Sequence, residues 1–171
     1  MKNNINNNDV KFKLTKEIQE IKSINKDNIY SHLSLKDLSH LNTYTIDDKN
    51  TLEIDDAISL ERVNDTNKLW VHIASPAVHI DYNSAIDKNA RELISTLYLS
   101  KNIIYMLPEV LIEEIFSLNN SEARASLSLG VIFNNDGSIA SSEIVQSLIK
   151  PNYQLSYAEA DELIDYAPKE E

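Results

Sequence analysis

Five carboxylates fall within ten positions, Asp47, Asp48, Glu53, Asp55 and Asp56, in the stretch TIDDKNTLEIDDAIS at 45–59. No other stretch limits the possible folds as much. Drawn into one small volume, like charges oppose folding by about 1 kcal/mol per close pair in water and about 4 kcal/mol near a protein surface. A whole domain is stable by only about 5–15 kcal/mol. The fold must therefore leave these side chains spread in solvent or supply a cation that holds them. Mg²⁺ is the natural candidate, with Mn²⁺ as an alternative, because a hard ion takes oxygen ligands from a few carboxylates, water and substrate phosphate. Spacing alone favours a solvated acidic loop. An EF-hand loop does not fit, since the middle glycine is absent and the acids do not alternate. The flanks turn the reading toward a site: Tyr44, Thr45 and Ile46 predict a strand entering the cluster, and Ala57, Ile58 and Leu60 one leaving it.

On either side of this stretch the pattern predicts an α+β domain, a mixed or antiparallel sheet with flanking helices. Residues 1–9 are Asn-rich and read as a disordered tail. Leu14, Ile18 and Ile21 recur at helical spacing, so a short amphipathic helix is predicted from Val10 onward, as a leader packing on the domain. After a polar connector, LKDLSHL at 35–41 predicts one or two helical turns. His32 and His40 lie eight apart without a third ligand at useful spacing and read as surface or packing residues.

Runs at 57–63 and 69–75, joined by the polar NDTNK, predict a hairpin. His72 in the second run reads as a sheet residue with a satisfied ring, since no nucleophile stands near it in sequence. Residues 83–97 predict a helix capped by Asn83 or Ser84, with Tyr98 at its end. By chemistry alone an aromatic there is core. Pro108 opens another short helix over 105–111. Arg124 leads a strand whose partner is 139–149, turned by NNDGS, and Ser156 with Glu159 forms a capping box before a last helix.

The order and content of four segments now matter together: TIDDKNTLEIDDAIS, VHIASPAVHI at 71–80, STLYLSKNIIYMLPEVL at 95–111 and SLNNSEARASLSLGVIF at 117–133. In these the chain resembles the catalytic (RNB) domain of ribonuclease II/R-type exoribonucleases, over about residues 40–167. The resemblance implies residues 1–40 as a leader and 41–171 as the N-terminal part of that domain. It implies Asp47, Glu53, Asp55 and Asp56 as the catalytic, metal-holding carboxylates, with Asp48 a bystander. Tyr98 matches the tyrosine that holds the 3′-terminal nucleotide. Single-stranded RNA is the implied substrate, degraded 3′→5′ to nucleoside 5′-monophosphates. Two departures stand out: Glu53 where many relatives carry Asp, and Ser75 where the family pattern has Asp. The family's later arginine and glutamate, its S1 RNA-binding domain and its basic channel are expected outside this sequence, so the fragment is expected to be inactive alone and to pair with that remainder.

Composition sharpens the expectation. The formal charge is −11 and the isoelectric point about 4.8, the wrong sign for a domain that grips RNA through phosphates alone. With no cysteine, disulfides and thiolate metal sites are excluded, and with only Gly130 and Gly137 so is a glycine-rich phosphate loop. No apolar run approaches a membrane span and the start lacks an apolar signal core, so a cytoplasmic location is expected.

Overall fold

The computed structural model describes residues 7–24, 30–31, 33–119 and 122–166. The expected tail over residues 1–6, His32 and the terminal APKEE lie outside them. The chain forms two compact units. One comprises the described residues up to Leu33 together with Pro76–Ile115, and the other Ser34–Ser75 with the described residues from Phe116 onward.

The second unit is built on a seven-stranded mixed sheet. Its strands are β1 (Lys36–Asp37), β2 (Thr43–Asp47), β3 (Asp56–Val63), β4 (Thr66–Ala74), β7 (Arg124–Phe133), β8 (Ile139–Ile149) and β9 (Tyr153–Ser156), in the order β1-β8-β7-β4-β3-β2-β9. The two predicted hairpins supply its centre. β3 and β4 turn through Asn64 and Asp65, a tighter turn than NDTNK, with Asn64 at φ 53°. β7 and β8 turn through Asn134–Ser138, where Gly137 takes φ 82°, a conformation that suits glycine. The outer strands β1 and β9 pair in parallel with β8 and β2.

LKDLSHL is not helical. Asp37 captures the amide and hydroxyl of Ser39 at 2.9 and 2.6 Å, and the Leu38 amide donates to the Leu148 carbonyl. A side chain that bonds the backbone two residues on competes with the helix ladder. The leucines still reach the core, where Leu38, Leu41, Ile54, Ala57, Trp70, Leu118 and Ile149 pack together.

The buried face of the sheet is more polar than an alternating pattern would suggest. Thr43, Thr45, Ser59, His72, Ser126, Ser128 and Ser147 are all buried. His72 accordingly has a satisfied ring: Nε2 lies 2.9 Å from Ser59 Oγ and Nδ1 2.6 Å from Ser128 Oγ. Burial lowers its pKa to about 4. Trp70, fully buried, donates from Nε1 to Glu61, while the ammonium groups of Lys36 and Lys68 sit 4.7 and 5.2 Å from its ring centre and share Glu143. The ring lies flat against Gly130, where a Cβ would come within 2.7 Å of it.

The closing helix, α4 (Tyr157–Tyr166), carries the predicted capping box. The Ser156 amide donates to Glu159 Oε2 at 2.8 Å and the Glu159 amide to Ser156 Oγ at 3.4 Å.

In the first unit, α1 (Asn7–Ser23) starts earlier than expected, so residues 7–9 are helical rather than tail. Its Glu17 carboxylate accepts from the amides of Ala85 and Ile86 at 2.8 and 2.9 Å. These open α2 (Ala85–Leu93), whose N-cap is Ser84. A carboxylate at that position satisfies orphan amides and favours the helix dipole. α1 and the start of α2 are thus tied together within this unit.

The helix expected through residue 97 stops at Leu93, because Ile94 takes φ 71° and Thr96 Oγ1 accepts from the Met106 amide. Tyr98 consequently lies in a hairpin, β5 (Leu97–Leu99) against β6 (Asn102–Ile104), and not at a helix end. Pro108 caps a short turn, α3 (Glu109–Leu111), continued by a π-helical turn over Ile112–Phe116. Among the described residues no helix is long and apolar enough to cross a membrane.

Two outcomes follow from the buried face. Gly130→Ala is expected to destabilise the protein by about 1–3 kcal/mol, since neither the indole nor the backbone can yield cheaply. Unfolding in urea measures it, and an unchanged midpoint would contradict the packing. His72 stays neutral when folded but takes up a proton near pH 6.5 when unfolded, so the unfolded state binds more protons between pH 6.5 and 4. Stability is therefore full above about pH 6.5 and falls by roughly 3 kcal/mol as pH drops to 4. In His72→Gln that part of the pH dependence should vanish.

Candidate active site

The acidic segment runs from the end of β2 to the start of β3. Asp47 is the last residue of β2 and Asp56 the first of β3. Between them Asp48 builds a turn, accepting from the Asn50 amide at 3.0 Å while the Thr51 amide donates to its carbonyl.

The loop is then tied down at Ile54, buried between Glu53 and Asp55. The Ile54 amide donates to Ser117 Oγ at 3.1 Å, and the Leu118 amide donates to the Ile54 carbonyl at 2.8 Å. One residue on, the Ala74 amide donates to the Asp55 carbonyl. The 117–119 segment is held in turn by Arg124, almost wholly buried. Its Nε donates to the Ser117 carbonyl at 3.1 Å and its Nη2 to Asn119 Oδ1 at 3.3 Å, and Nη1 meets Glu122 at 3.2 Å. Sequence reading treated Arg124 only as the start of a strand. Its signal was a lone arginine preceding an apolar run, which spacing does not distinguish from a surface charge.

The electrostatics centre on Asp47. Burial pushes its carboxyl above the usual range, and the negative charges of Asp56 and Asp55 push it the same way. Its Oδ2 is buried and has no hydrogen-bond partner, and two residues earlier the buried Thr45 Oγ1 has none either. A buried acceptor normally finds a donor. A carboxylate oxygen withdrawn from water, repelled by two neighbours and given no donor has the chemistry of a ligand for a hard divalent cation. Asp47, Asp55 and Asp56 therefore share one electrostatic environment.

Among the described residues, however, no group of three or more His, Cys, Asp or Glu side chains is gathered tightly enough to hold a metal ion. Strand alternation explains part of this. Asp47 follows Thr43 and Thr45 on the buried side of the pleat, whereas Asp56 precedes Ile58 and Leu60 on the other. Glu53 is half-buried, Asp55 and Asp56 exposed. Tyr98 belongs to the other unit, where its ring is 69% exposed opposite Ile103 in the β5–β6 hairpin. His40 is not part of this segment, and Ser75 is spent on a main-chain bond to Ala125.

Three comparisons bear on this arrangement. The family model for the RNB domain matches residues 35–171. A chloroplastic/mitochondrial ribonuclease II from Arabidopsis thaliana is 36% identical over 116 residues, 67% of this chain and 14% of that protein. The structure of Mycoplasma genitalium RNase R in complex with ribose methylated single-stranded RNA superposes with a TM-score of 0.77 at 26% identity, over 89% of this chain and 24% of that one. The yeast pseudonuclease Ssd1 shares the fold at 20% identity with a TM-score of 0.74. The chain therefore spans about a seventh of the curated relative and a quarter of the solved RNase R chain.

Because the folded state raises the pKa of Asp47, its charge opposes folding at neutral pH. Without divalent metal, Asp47→Asn is expected to melt higher than the parent, by on the order of 1–3 °C. Millimolar Mg²⁺ should raise the melting temperature of the parent and leave the variant nearly unmoved. Thermal unfolding with and without EDTA measures both, and a lower melting temperature for the metal-free variant would contradict the reading.

Proposed function

The chain belongs to the RNB domain family, and from that premise we propose that it carries the acidic segment of a Mg²⁺-dependent 3′→5′ exoribonuclease acting on single-stranded RNA. The observation that carries this reading is the buried, donorless Oδ2 of Asp47 beside the charges of Asp55 and Asp56. Asp47, Asp55 and Asp56, with Glu53 completing the set, are the residues that would hold Mg²⁺, or Mn²⁺ in its place. Bound divalent ions supply charge compensation to the attacking and leaving oxygens of a phosphodiester and favour a nucleophilic water at neutral pH. In the hydrolysis a water oxygen bonds to phosphorus and the bond to the 3′ oxygen of the preceding nucleotide breaks. A nucleoside 5′-monophosphate leaves.

The chain's own contribution is to aim the carboxylates. The bonds from Ser117 and Leu118 to Ile54 fix the backbone on which Glu53 and Asp55 are carried, and β2 and β3 deliver Asp47 and Asp56. Tyr98, exposed on its hairpin, is assigned to stack on the 3′-terminal base, a contact worth about 1–3 kcal/mol that tolerates any sequence.

A second reading is a non-catalytic RNA- or metal-binding module, or one piece of a split enzyme. The acidic charge of −11, the wrong sign for gripping RNA through phosphates alone, favours the last of these, one piece of an enzyme whose RNA contacts lie elsewhere. On either reading these residues alone have little turnover.

Mononucleotide release from 3′-labelled single-stranded RNA separates the two. With the remaining part of an RNB catalytic domain present, Mg²⁺-dependent release is expected, reduced by about 10²-fold or more in Asp56→Asn and abolished by EDTA. Release that survives Asp56→Asn would remove the assignment. No release under any condition would leave the module reading in its place.

A further inference from the structure

The seven-stranded sheet is apolar on the side that faces water. Register aligns Tyr153, Tyr44, Ile58, Val71, Leu129 and Ile144 in one row across six strands. Ile73 and Leu127 pair beside it, and Leu60 pairs with Leu69. Ile58, Leu60, Ile73, Leu127, Leu129 and Ile144 are exposed, Ile144 by 69%, while Thr43, Thr45, Ser59, His72, Ser126, Ser128 and Ser147 on the opposite side of the same sheet are buried. An antiparallel sheet with one wet face normally turns its polar residues outward. Here the alternation runs the opposite way, and contiguous apolar surface of this kind marks a binding face.

We propose that this face is the docking surface for the part of an RNB-type catalytic domain that solved RNase R chains carry outside the superposed quarter. The proposal rests on the exoribonuclease family reading and specifies where the remainder binds. Two observations select this occupant. The row across the six strands consists only of tyrosine, isoleucine, valine and leucine, with Arg62 at the far end of β3, so the row itself offers no cations to phosphates, as an RNA surface would require. A dry aliphatic face instead suits a packed protein layer. The RNase R chain that superposes on 89% of this one also carries about three quarters of its length beyond the match, and that length is available to cover the face. Asp56 opens β3 on the same side of the pleat, so the docked layer would border the acidic segment.

The test co-expresses the full chain with Mycoplasma genitalium RNase R from which the superposed quarter has been deleted. A 1:1 complex is expected by gel filtration with light scattering. The double variant Ile58→Glu, Leu129→Glu should weaken it at least tenfold while keeping the parent's far-ultraviolet circular dichroism and melting temperature. Leu163→Glu with Ile164→Glu, still more exposed apolar positions on α4, should leave it intact. Failure to co-purify, equal binding by the sheet-face variant, or a parent homodimer that the sheet-face variant dissolves would each overturn the proposal, as would RNA binding lost in that variant. Mononucleotide release is scored separately on the complex. A complex that forms through this face but releases nothing supports the docking and defeats the exoribonuclease reading.

Discussion

One oxygen of the half-buried Asp47 carboxylate, Oδ2, is withdrawn from water by the sheet and left without a donor. Strand geometry forces the first half of this. β2 and β9 run parallel with Asp47 opposite Ser156, and residue 47 continues the buried side of Thr43 and Thr45. The second half is unusual, because a buried acceptor without a donor costs about 1–3 kcal/mol, a large share of a small domain's stability. Ser156 does not relieve it, being committed to Glu159 in the helix cap. Asp55 and Asp56 make matters worse by their charge. On the proposed reading, a fold that keeps such a residue gives up stability for an oxygen that would bind a cation, and the rest of the segment is arranged around that compromise.

The arrangement depends on Ile54. An apolar side chain set between Glu53 and Asp55 anchors the loop in the core, and its amide and carbonyl both bond to the 117–118 segment. Arg124 holds that segment from below through three groups. A buried guanidinium is costly unless its donors are used, and here they are used to fix backbone that fixes backbone. Two of the four segments that carry the family resemblance, 45–59 and 117–133, are in this way one physical assembly.

Much of this was legible beforehand. Period-two alternation and turn chemistry gave both central hairpins, the Ser156–Glu159 pair gave the last helix, and strands on each side of the acids gave their setting. What escaped has identifiable causes. β1 and β9 are two and four residues long and pair in parallel with distant partners, so nothing local marks them. Ile94 ended a helix that Leu93 and Leu97 seemed to continue, by adopting a positive φ that a β-branched residue rarely takes. LKDLSHL has leucines at helical spacing, yet Asp37 and Ser39 bond each other. Alternation also cannot tell which side of a strand is buried. Ser126 and Ser128 would ordinarily face water and Leu127 and Leu129 the core, but His72 and Ser147 satisfy the serines inside. The gathering of the four acids was the least legible feature: three of them share an electrostatic environment, and Glu53 is carried on the loop between them.

Paramagnetic broadening by Mn²⁺ in a ¹⁵N-correlated spectrum of the intact chain tests the central claim most directly. If Asp47, Asp55 and Asp56 form one cation-seeking locus, substoichiometric Mn²⁺ should first erase the amides of 46–48 and 53–57, and excess Mg²⁺ should restore them. Broadening that begins elsewhere, such as along the acidic α4, or that spreads evenly over the surface carboxylates, would contradict it.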